Sequence, residues 1–195
     1  MITTERLVLR RWKPEDFEPF CAMNADEEVM RHFPSTLTPA QTAAGLKRVE
    51  AHFERHGWGL YAVEHELQFI GYIGLFQVPF EAHFTPAVEI GWRLARPYWN
   101  RGLATEGARA CLDFGFSKLG LPEIVAFTTP GNEASRRVME KIGMRHDVAG
   151  DFEHPRVAPG HVLRWHVLYR IGNDSHLPST EKASKTLPGP PPVKA

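Results

Sequence analysis

The segment from Asn100 to Thr105 is the first place where residue types and spacing point to chemistry. It joins the strand-like run "VEIGWRL" to a helical run that starts at Gly102 and Leu103, and no Ser or Asp stands there as a cap. An uncapped helix start leaves backbone N–H groups unpaired and carries about half a positive charge. Because glycine has no Cβ, a phosphate or pyrophosphate could approach this backbone closely. The alternative is that Gly102 only shapes a turn.

Two common phosphate-binding motifs are absent from the sequence. No G-x-x-x-x-G-K-[ST] run is present, which excludes a P-loop, and no G-x-G-x-x-G follows a strand, which leaves a dinucleotide-binding site unsupported. The residues themselves therefore predict an anion at a helix start and do not identify the anion.

The histidines do not form a recognisable metal motif. His52 and His56 flank Glu54 as H-x-E-x-H, which differs from the H-E-x-x-H of zinc proteases. Three further histidines near the last strands have no cysteine partners: His154, His161 and His166. We therefore expect no metal site and place most histidines at the surface or in a cleft.

Composition predicts one globular domain. The chain has 195 residues, and Lys plus Arg equal Asp plus Glu at 23 each, so no overall charge attracts nucleic acid or a membrane surface. The N-terminus lacks the apolar core of a signal peptide, and no apolar run approaches the roughly 20 residues of a membrane span. Cys21 and Cys111 have neither metal nor redox spacing and are expected to be reduced core residues. A cytoplasmic protein, monomeric or homodimeric, is the expectation.

Hydrophobic periodicity predicts elements in the order βααβββαβαβ. Strands are expected over residues 6–12 and the runs "WGLYAVEH", "QFIGYIGLF", "VEIGWRL", "EIVAFTT" and "HVLRWHVLYRI". Helices are expected from Pro14, from Thr38 to about His56, over 103–119 and in "NEASRRVMEKIG". The middle three strands should form an antiparallel meander within a mixed α/β sheet flanked by helices.

The predicted domain spans residues 1–172. Residues 173–195 are rich in Pro, Ser and Lys and contain no aromatic residue, which predicts a disordered tail. Four aromatic residues of the domain are expected in the core: Trp12, Phe33, Trp58 and Trp165.

The order of elements, together with the motifs "WNRGLA" and "NEASRRVMEKIGM", resembles the GNAT superfamily of N-acetyltransferases in its RimJ/RimL-like branch. The resemblance covers residues 3 to about 171, and two motifs in the right order make it specific. It implies a mostly antiparallel, twisted sheet flanked by helices, with a splayed strand pair that holds the cofactor.

The resemblance also implies acetyl-CoA as cosubstrate. Its pyrophosphate would bind backbone N–H groups of the loop formed by Asn100, Arg101, Gly102, Leu103, Ala104 and Thr105. The preceding strand around Trp92 and Leu94 would be splayed by a bulge and pair with the pantetheine arm. Asn132 and Ser135 would lie near the pantetheine and the thioester.

Two positions depart from the pattern of the superfamily. Trp99 stands where Arg or Gln is usual, a substitution familiar in the RimJ/RimL-like branch. Met139 stands where many members have a tyrosine that acts as general acid, and methionine cannot donate a proton. The resemblance then makes Ser135 the candidate acid, although this serine could equally have only a binding role in the helix turn.

Transfer of an acetyl group requires a neutral amine, which calls for a base or a desolvating pocket. We expect Glu89 to be the base, because Ile90 and Trp92 beside it would raise its pKa. The alternative places Glu89 on the solvent face of the sheet, paired with an arginine. Glu106 is a weaker candidate for the base, and its alternative role is to support the first turn of its helix through the dipole.

The implied function is direct transfer from acetyl-CoA to a primary amine in a ternary complex, with a small molecule or a protein N-terminus as acceptor. The loop over residues 147–161 would line the amine site, where Asp151 and Glu153 either attract a cationic amine or form a solvated acidic turn. The alternative function is a non-catalytic module that binds or senses acyl-CoA.

Overall fold

The computed structural model describes residues 1–176 of the chain. Its strands are β1 (Ile2–Thr3), β2 (Val8–Arg10), β3 (Leu60–His65), β4 (Gln68–Gln77), β5 (Val88–Leu94), β6 (Glu123–Thr128), β7 (Arg145–His146), β8 (Phe152–Glu153) and β9 (Trp165–Gly172). Its α-helices are α1 (Phe17–Ala25), α2 (Glu27–Met30), α3 (Pro39–His56), α4 (Leu103–Ser117) and α5 (Glu133–Lys141). Within this part of the chain, no helix is long and apolar enough to span a membrane.

The strands form one sheet in the order β1-β2-β3-β4-β5-β6-β9-β7, with β8 paired to β9. Every pairing is antiparallel except that of β5 with β6. The predicted mixed, mostly antiparallel sheet and its β3-β4-β5 meander are therefore confirmed. The parallel pair arises because α4 connects β5 to β6 as a helical crossover.

The splayed strand pair is present, but its cause differs from the expectation. β5 pairs with β4 in an unbroken register from Gly71↔Leu94 to Gln77↔Val88, so the bulge expected in β5 is absent. On its other side, β5 has a single registered pair with β6, Glu89↔Val125. Beyond that pair the two strands diverge, and this divergence, not an inserted residue, opens the sheet.

Helix α4 packs closely over the centre of the sheet. A Cβ at Gly107 would lie 2.5 Å from Ile73 Cδ1, and one at Gly115 would lie 2.7 Å from Ile124 Cδ1, so a side chain at either position would displace these isoleucine methyl groups. Leu112 and Cys111 are fully buried in the same core. Close packing fixes the start of α4 at the opening between β5 and β6.

The opposite face of the sheet packs against the first helices. Phe20, Met23 and Val29 form a smaller cluster there with Phe69 and Tyr72 of β4. Each such side chain contributes about 1.5–3 kcal/mol when fully buried. This cluster holds α2 and the residues after it beside the open end of β5.

Several local predictions agree with the structure. The Thr38 and Gln41 capping box begins α3, and Gly57 ends it with a φ of 77°. Asn132 caps α5 through a hydrogen bond from Ser135 N at 3.2 Å. Cys111 is buried, whereas Cys21 is only half-buried.

Other boundaries were wrong. The first predicted strand shrinks to β2, and a short 3-10 turn over Pro14–Asp16 precedes α1. The last strand, β9, starts four residues later than predicted. The backbone N–H groups of His161 and Arg164 instead make turn hydrogen bonds to the carbonyls of Ala158 and His161. Trp165 and Phe33 are 49% and 39% exposed and so lie outside the core.

The predicted tail begins with an ordered turn. Residues 173–175 form a 3-10 turn, and the ring of His176 packs 4.8 Å from that of Phe116 on α4. The rest of the predicted tail, residues 177–195, lies outside the described residues.

Candidate functional site

A cleft of about 570 Å³ opens where β5 and β6 diverge, a size typical of small-molecule sites. Its helix side consists of residues at the starts of α4 and α5: Asn100, Gly102, Leu103, Ala104, Thr105, Asn132, Ser135 and Met139. Its strand side consists of the sheet face of β5 and the groups around it: Phe33, Tyr72, Glu89, Gly91, Arg93, Phe127, His154 and His166. Trp92 and Leu94 lie between the two sides. Every predicted site residue except Arg101 thus lines one cleft.

The helix side presents free backbone donors. Gly102 is the N-cap of α4 with a φ of 78° and makes no side-chain cap. The first hydrogen bond of the helix runs from Glu106 N to Gly102 O at 3.0 Å, and the N–H groups of Leu103, Ala104 and Thr105 have no acceptor within residues 1–176. Such donors and the helix dipole together favour an anion.

Glu106 fixes the start of α4 from behind. Its carboxylate accepts hydrogen bonds from Thr4 Oγ1 at 2.6 Å, Arg6 N at 2.9 Å and Arg6 Nε at 2.7 Å. Although burial opposes it, these bonds hold the pKa of Glu106 below its usual range. A carboxylate with this many donors is not available as a base, so Glu106 is an anchor of the helix.

Arg101 is the predicted residue that the structure places outside the cleft. Its Nη2 lies 3.2 Å from His65 Nε2, and its guanidinium lies beside the ring of Tyr98. Its carbonyl accepts a hydrogen bond from Arg6 Nη1 at 3.0 Å. The Arg101 side chain therefore ties the loop to β3, on the side away from the cleft. The neighbouring loop residues Asn100 and Gly102 line the cleft.

At the start of α5, Asn132 and Ser135 differ in how they are used. The Asn132 side chain is committed to the fold, since Nδ2 donates to Thr128 Oγ1 at 2.9 Å while Oδ1 caps the helix. The half-buried Ser135 hydroxyl has no hydrogen-bond partner in the described part of the chain, and it faces the cleft. Met139, one turn later, is 2% exposed and closes the wall with an apolar surface.

The edge of β5 between the two sides carries unpaired main-chain groups. Beyond Glu89 this edge has no registered partner in β6, so backbone groups near Trp92 face the cleft. The carbonyl of Leu94 is already used, because Trp99 Nε1 donates to it at 2.7 Å. The Trp99 side chain therefore holds the loop against the end of β5. This hydrogen bond gives the tryptophan a structural role at a position where Arg or Gln is usual.

Glu89, the second residue of β5, is part of the strand side of the cleft. Its carboxylate makes no hydrogen bond or ion pair with any residue from 1 to 176, so the expected alternative, pairing with an arginine, is not observed. Glu89 lines the cleft, and burial of its carboxyl group raises the pKa of Glu89 to about 8. A carboxyl group with such a pKa can exchange a proton with an amine near neutral pH.

The strand side contains groups that the sequence argument did not identify. Arg93 lies two positions beyond Gly91 on the same face as Glu89, and its guanidinium is 4.0 Å from the ring centre of Phe33. Strict alternation along β5 would have placed Glu89 and Arg93 together. Phe33 and Tyr72 come from distant segments, and no local pattern links them to the site.

Two histidines complete the strand side. The rings of His154 and His166 are 4.9 Å apart. Burial, with His166 and Arg156 nearby, lowers the pKa of His154 to about 4, and burial also lowers that of His166. Both are therefore neutral at pH 7. No group of three or more metal-ligating residues occurs within residues 1–176.

The two acids expected near an amine do not line the cleft. Asp151 accepts hydrogen bonds from Leu168 N at 3.0 Å and from His146 Nε2 at 2.8 Å, and Glu153 pairs with Arg164 at 2.8 Å. Both carboxylates thus hold the β8–β9 region together. Of the two alternatives, attraction of a cationic amine is the one that this geometry does not support.

Comparison with known proteins places the chain and its fold in one family. Residues 6–145 match the family model described as acetyltransferase (GNAT) domain. The uncharacterized N-acetyltransferase YnaD of Bacillus subtilis (strain 168) is 32% identical over 146 residues, which cover 75% of this chain and 83% of that protein.

Solved structures agree in fold. An acetyltransferase of the GNAT family from Bacillus anthracis is 30% identical, with a TM-score of 0.72 over 89% of this chain and 98% of that one. Mycobacterium smegmatis RimJ, solved in complex with CoA-disulfide, shares the fold at a TM-score of 0.69 and 22% identity, over 86% of this chain and 82% of that one. The chain belongs to the GNAT family of acetyltransferases, as its motifs indicated, and it is an acetyl-CoA-dependent acyltransferase.

Proposed function

We propose that the protein transfers an acetyl group from acetyl-CoA directly to a primary amine, of a small molecule or a protein N-terminus, with both substrates in the cleft. The observation that supports this most is the presence in one cleft of three free N–H donors and an unpaired carboxyl group with a raised pKa. The first group suits an anionic cosubstrate, and the second suits an amine that must lose a proton.

Acetyl-CoA would bind along the helix side. The N–H groups of Leu103, Ala104 and Thr105 are suited to its pyrophosphate, and the free edge of β5 near Trp92 is suited to its amide-containing arm. Arg137 and Lys141 also line the cleft and add positive charge. The bound thioester supplies the activated acetyl group.

Glu89 would remove the proton from the ammonium form of the acceptor. The amine nitrogen then bonds to the acetyl carbon, the carbon–sulfur bond breaks, and the thiolate leaves. The nitrogen, positively charged after the attack, would release its second proton to water as the neutral amide forms. The proton that returns to the sulfur would come from the Ser135 hydroxyl or from water, since Met139 cannot donate one. A thiol near pKa 8.5 needs only modest help to leave.

Direct transfer is favoured over an acetylated enzyme because no cysteine thiol is available for attack. Burial raises the pKa of the Cys111 thiol, and Cys111 is fully enclosed in the core. Cys21 lies on α1 and is not among the residues that line the cleft. A thioester-linked intermediate therefore has no evident site.

The test combines binding with turnover. Purified protein is titrated with CoA by calorimetry and then incubated with acetyl-CoA and a panel of primary amines and N-terminal peptides, with thiol release and product mass as readouts. The proposal expects CoA binding, amine-dependent thiol release, and no acetylated protein when the amine is omitted. Tight CoA binding without release for any amine would support the sensing module instead, and acetylated protein would contradict direct transfer.

A further inference from the structure

Arg93 is a cation of the cleft that no acid among residues 1–176 neutralises. It lines the strand side, yet no carboxylate within residues 1–176 lies at ion-pair distance from it. The guanidinium instead lies 4.0 Å from the ring centre of Phe33 and 5.4 Å from that of Tyr72. Aromatic faces and one amide hold the group in place without cancelling its charge.

One edge of this guanidinium is committed and the other is free. Nη1 donates to Asn24 Oδ1 at 2.7 Å, and Asn24 Nδ2 donates to Thr42 Oγ1 at 3.2 Å, which fixes the amide. The Nε–H is buried and has no acceptor in the described part of the chain. Nε and Nη2 form the edge that binds a carboxylate through two parallel hydrogen bonds, and this is the edge left without a partner.

The position of Arg93 relative to Glu89 sets a spacing. Both lie on the same face of β5, four residues apart, which corresponds to about 13 Å between Cα atoms. Gly91 stands between them, and a Cβ there would meet only Glu89 Oε1 and Leu60 Cδ2, both at 3.9 Å. Along this face of β5, the carboxyl group of Glu89 and the guanidinium of Arg93 are therefore separated by Gly91, which has no side chain to occupy the space between them.

The remaining charges on this side do not suit a polycation. Of the acidic residues that line the cleft, Glu28 is already paired with Arg31 at 3.4 Å, which leaves Glu89 alone. Arg156 also lines the cleft and adds positive charge. Among the described residues, an acceptor with a second ammonium group would find no further unpaired carboxylate that lines the cleft.

We infer that the acceptor is a primary amine that carries a carboxylate several bonds away, with the carboxylate bound by Arg93 while the amine faces Glu89. This inference rests on the proposed amine acetylation and specifies its acceptor class. An acceptor whose carboxylate adjoins its amine would be too short to reach both groups.

The kinetic test uses acceptors of matched length. We expect 6-aminohexanoate to exceed hexylamine and 1,6-diaminohexane by about 10-fold or more in kcat/KM, since a charged bidentate contact is at stake. Arg93→Gln should remove this preference, so that kcat/KM for 6-aminohexanoate falls to that for hexylamine in the same variant, and Arg93→Lys should retain part of it. Arg96→Gln is the matched control, because Arg96 is exposed and outside the cleft.

A binding test is independent of catalysis. Hexanoate is titrated by calorimetry into the wild-type protein saturated with CoA, with hexan-1-ol as the neutral control, and then into the Arg93→Gln protein. We expect hexanoate to bind, hexanol not to bind, and the variant to bind hexanoate about 10-fold more weakly or worse. Thermal unfolding of each variant checks that the fold is retained.

The outcomes separate this inference from the proposed function. Hexanoate binding that depends on Arg93, without acetylation of any amine, would support the carboxylate site and reject the acetyl transfer. Efficient acetylation of hexylamine or the diamine, with no gain for 6-aminohexanoate, would reject the inference and leave acetyl transfer standing. An equal loss for all acceptors in Arg93→Gln would also reject it, because a structural role predicts that result.

Discussion

The helix side and the strand side of the cleft present different kinds of atoms to a ligand. The helix side offers main-chain N–H groups of Leu103, Ala104 and Thr105, whose direction is set by the helix itself. The strand side offers side chains from separate segments of the chain: Glu89 and Arg93 from β5, Phe33 from the segment after α2, and His154 from the segment after β8. Main-chain donors suit a constant ligand such as the cosubstrate, whereas side chains can change with the acceptor.

The largest effect that would test this contrast is expected at Glu89. Glu89→Gln keeps the shape of the side chain and removes the proposed base, so we expect kcat/KM to fall by about 100-fold while CoA affinity stays the same. With an acceptor whose own pKa lies well below the range studied, the wild-type acidic limb near pH 8 should disappear in the variant. Glu153→Gln is the control, as Glu153 pairs with Arg164 away from the cleft. An unchanged pH profile would remove Glu89 from the role of base.

The same substitution should change stability with pH. Burial raises the folded pKa of Glu89 to about 8, above the value of an unfolded chain, so its protonated form favours folding at low pH and this advantage is lost as pH rises through 8. Glu89→Gln should therefore unfold at a higher temperature than the wild type at pH 9 and at a similar temperature at pH 4. Thermal unfolding at both pH values measures this, and a variant less stable at pH 9 would contradict the burial of the charge.

The next effect is expected on the helix side. Gly102→Ala forces a residue with a Cβ into a φ of 78°, and this strains the turn that presents the free N–H groups, so we expect CoA to bind about 10-fold more weakly. Gly120→Ala is a close control, because Gly120 has a φ of 64° with open space around it and lies outside the cleft. Both variants should lose about 1 kcal/mol of stability. If Gly102→Ala bound CoA as tightly as Gly120→Ala does, the proposed binding of CoA to the N–H groups at the start of α4 would be contradicted.

Glu106, which anchors the start of α4, should affect stability more than catalysis. Glu106→Gln weakens hydrogen bonds from Thr4 and Arg6, so we expect a loss of about 1–2 kcal/mol in the free energy of unfolding at pH 7. Since the folded pKa of Glu106 is lowered, this contribution is present above the unfolded pKa and is lost as pH falls. Denaturation at pH 7 and pH 3 measures it, and Glu133→Gln, an exposed acid, is the control. A pH-independent loss would point to packing instead of charge.

The smallest effect is expected at Ser135. Ser135→Ala should lower kcat about fivefold if its hydroxyl returns a proton to the leaving sulfur, because water can replace it. Ser117→Ala, another helical serine outside the cleft, is the control. A change in KM for acetyl-CoA with kcat retained would assign Ser135 a binding role.

The contrast between the two sides also explains what sequence could predict. The helix side is encoded in short continuous segments, where Gly102 and the Asn132 cap mark the helix starts, and these features appear in the structure as expected. Glu89 was found because an acid among apolar strand residues is conspicuous. The same alternation would have paired it with Arg93, which composition alone did not single out.

The strand side could not be assembled from sequence because it depends on tertiary packing. Phe33 and His154 meet the cleft only after α2 and the β8–β9 region fold against the sheet. The acids of that region, Asp151 and Glu153, look available in sequence and are used internally. The late start of β9 has a similar cause, since turn hydrogen bonds at His161 override an alternating pattern.

We propose that the helix side of the cleft binds CoA and that the strand side acts on the acceptor. The most direct test measures CoA affinity and acetyl transfer in the same preparations of the Gly102→Ala and Glu89→Gln proteins. We predict that Gly102→Ala binds CoA about 10-fold more weakly than the wild type. Glu89→Gln should bind CoA as the wild type does and transfer acetyl groups about 100-fold more slowly. A Glu89→Gln protein that transfers at the wild-type rate, or a Gly102→Ala protein with full CoA affinity, would contradict the assignment of the cosubstrate to the helix side and of the base to the strand side.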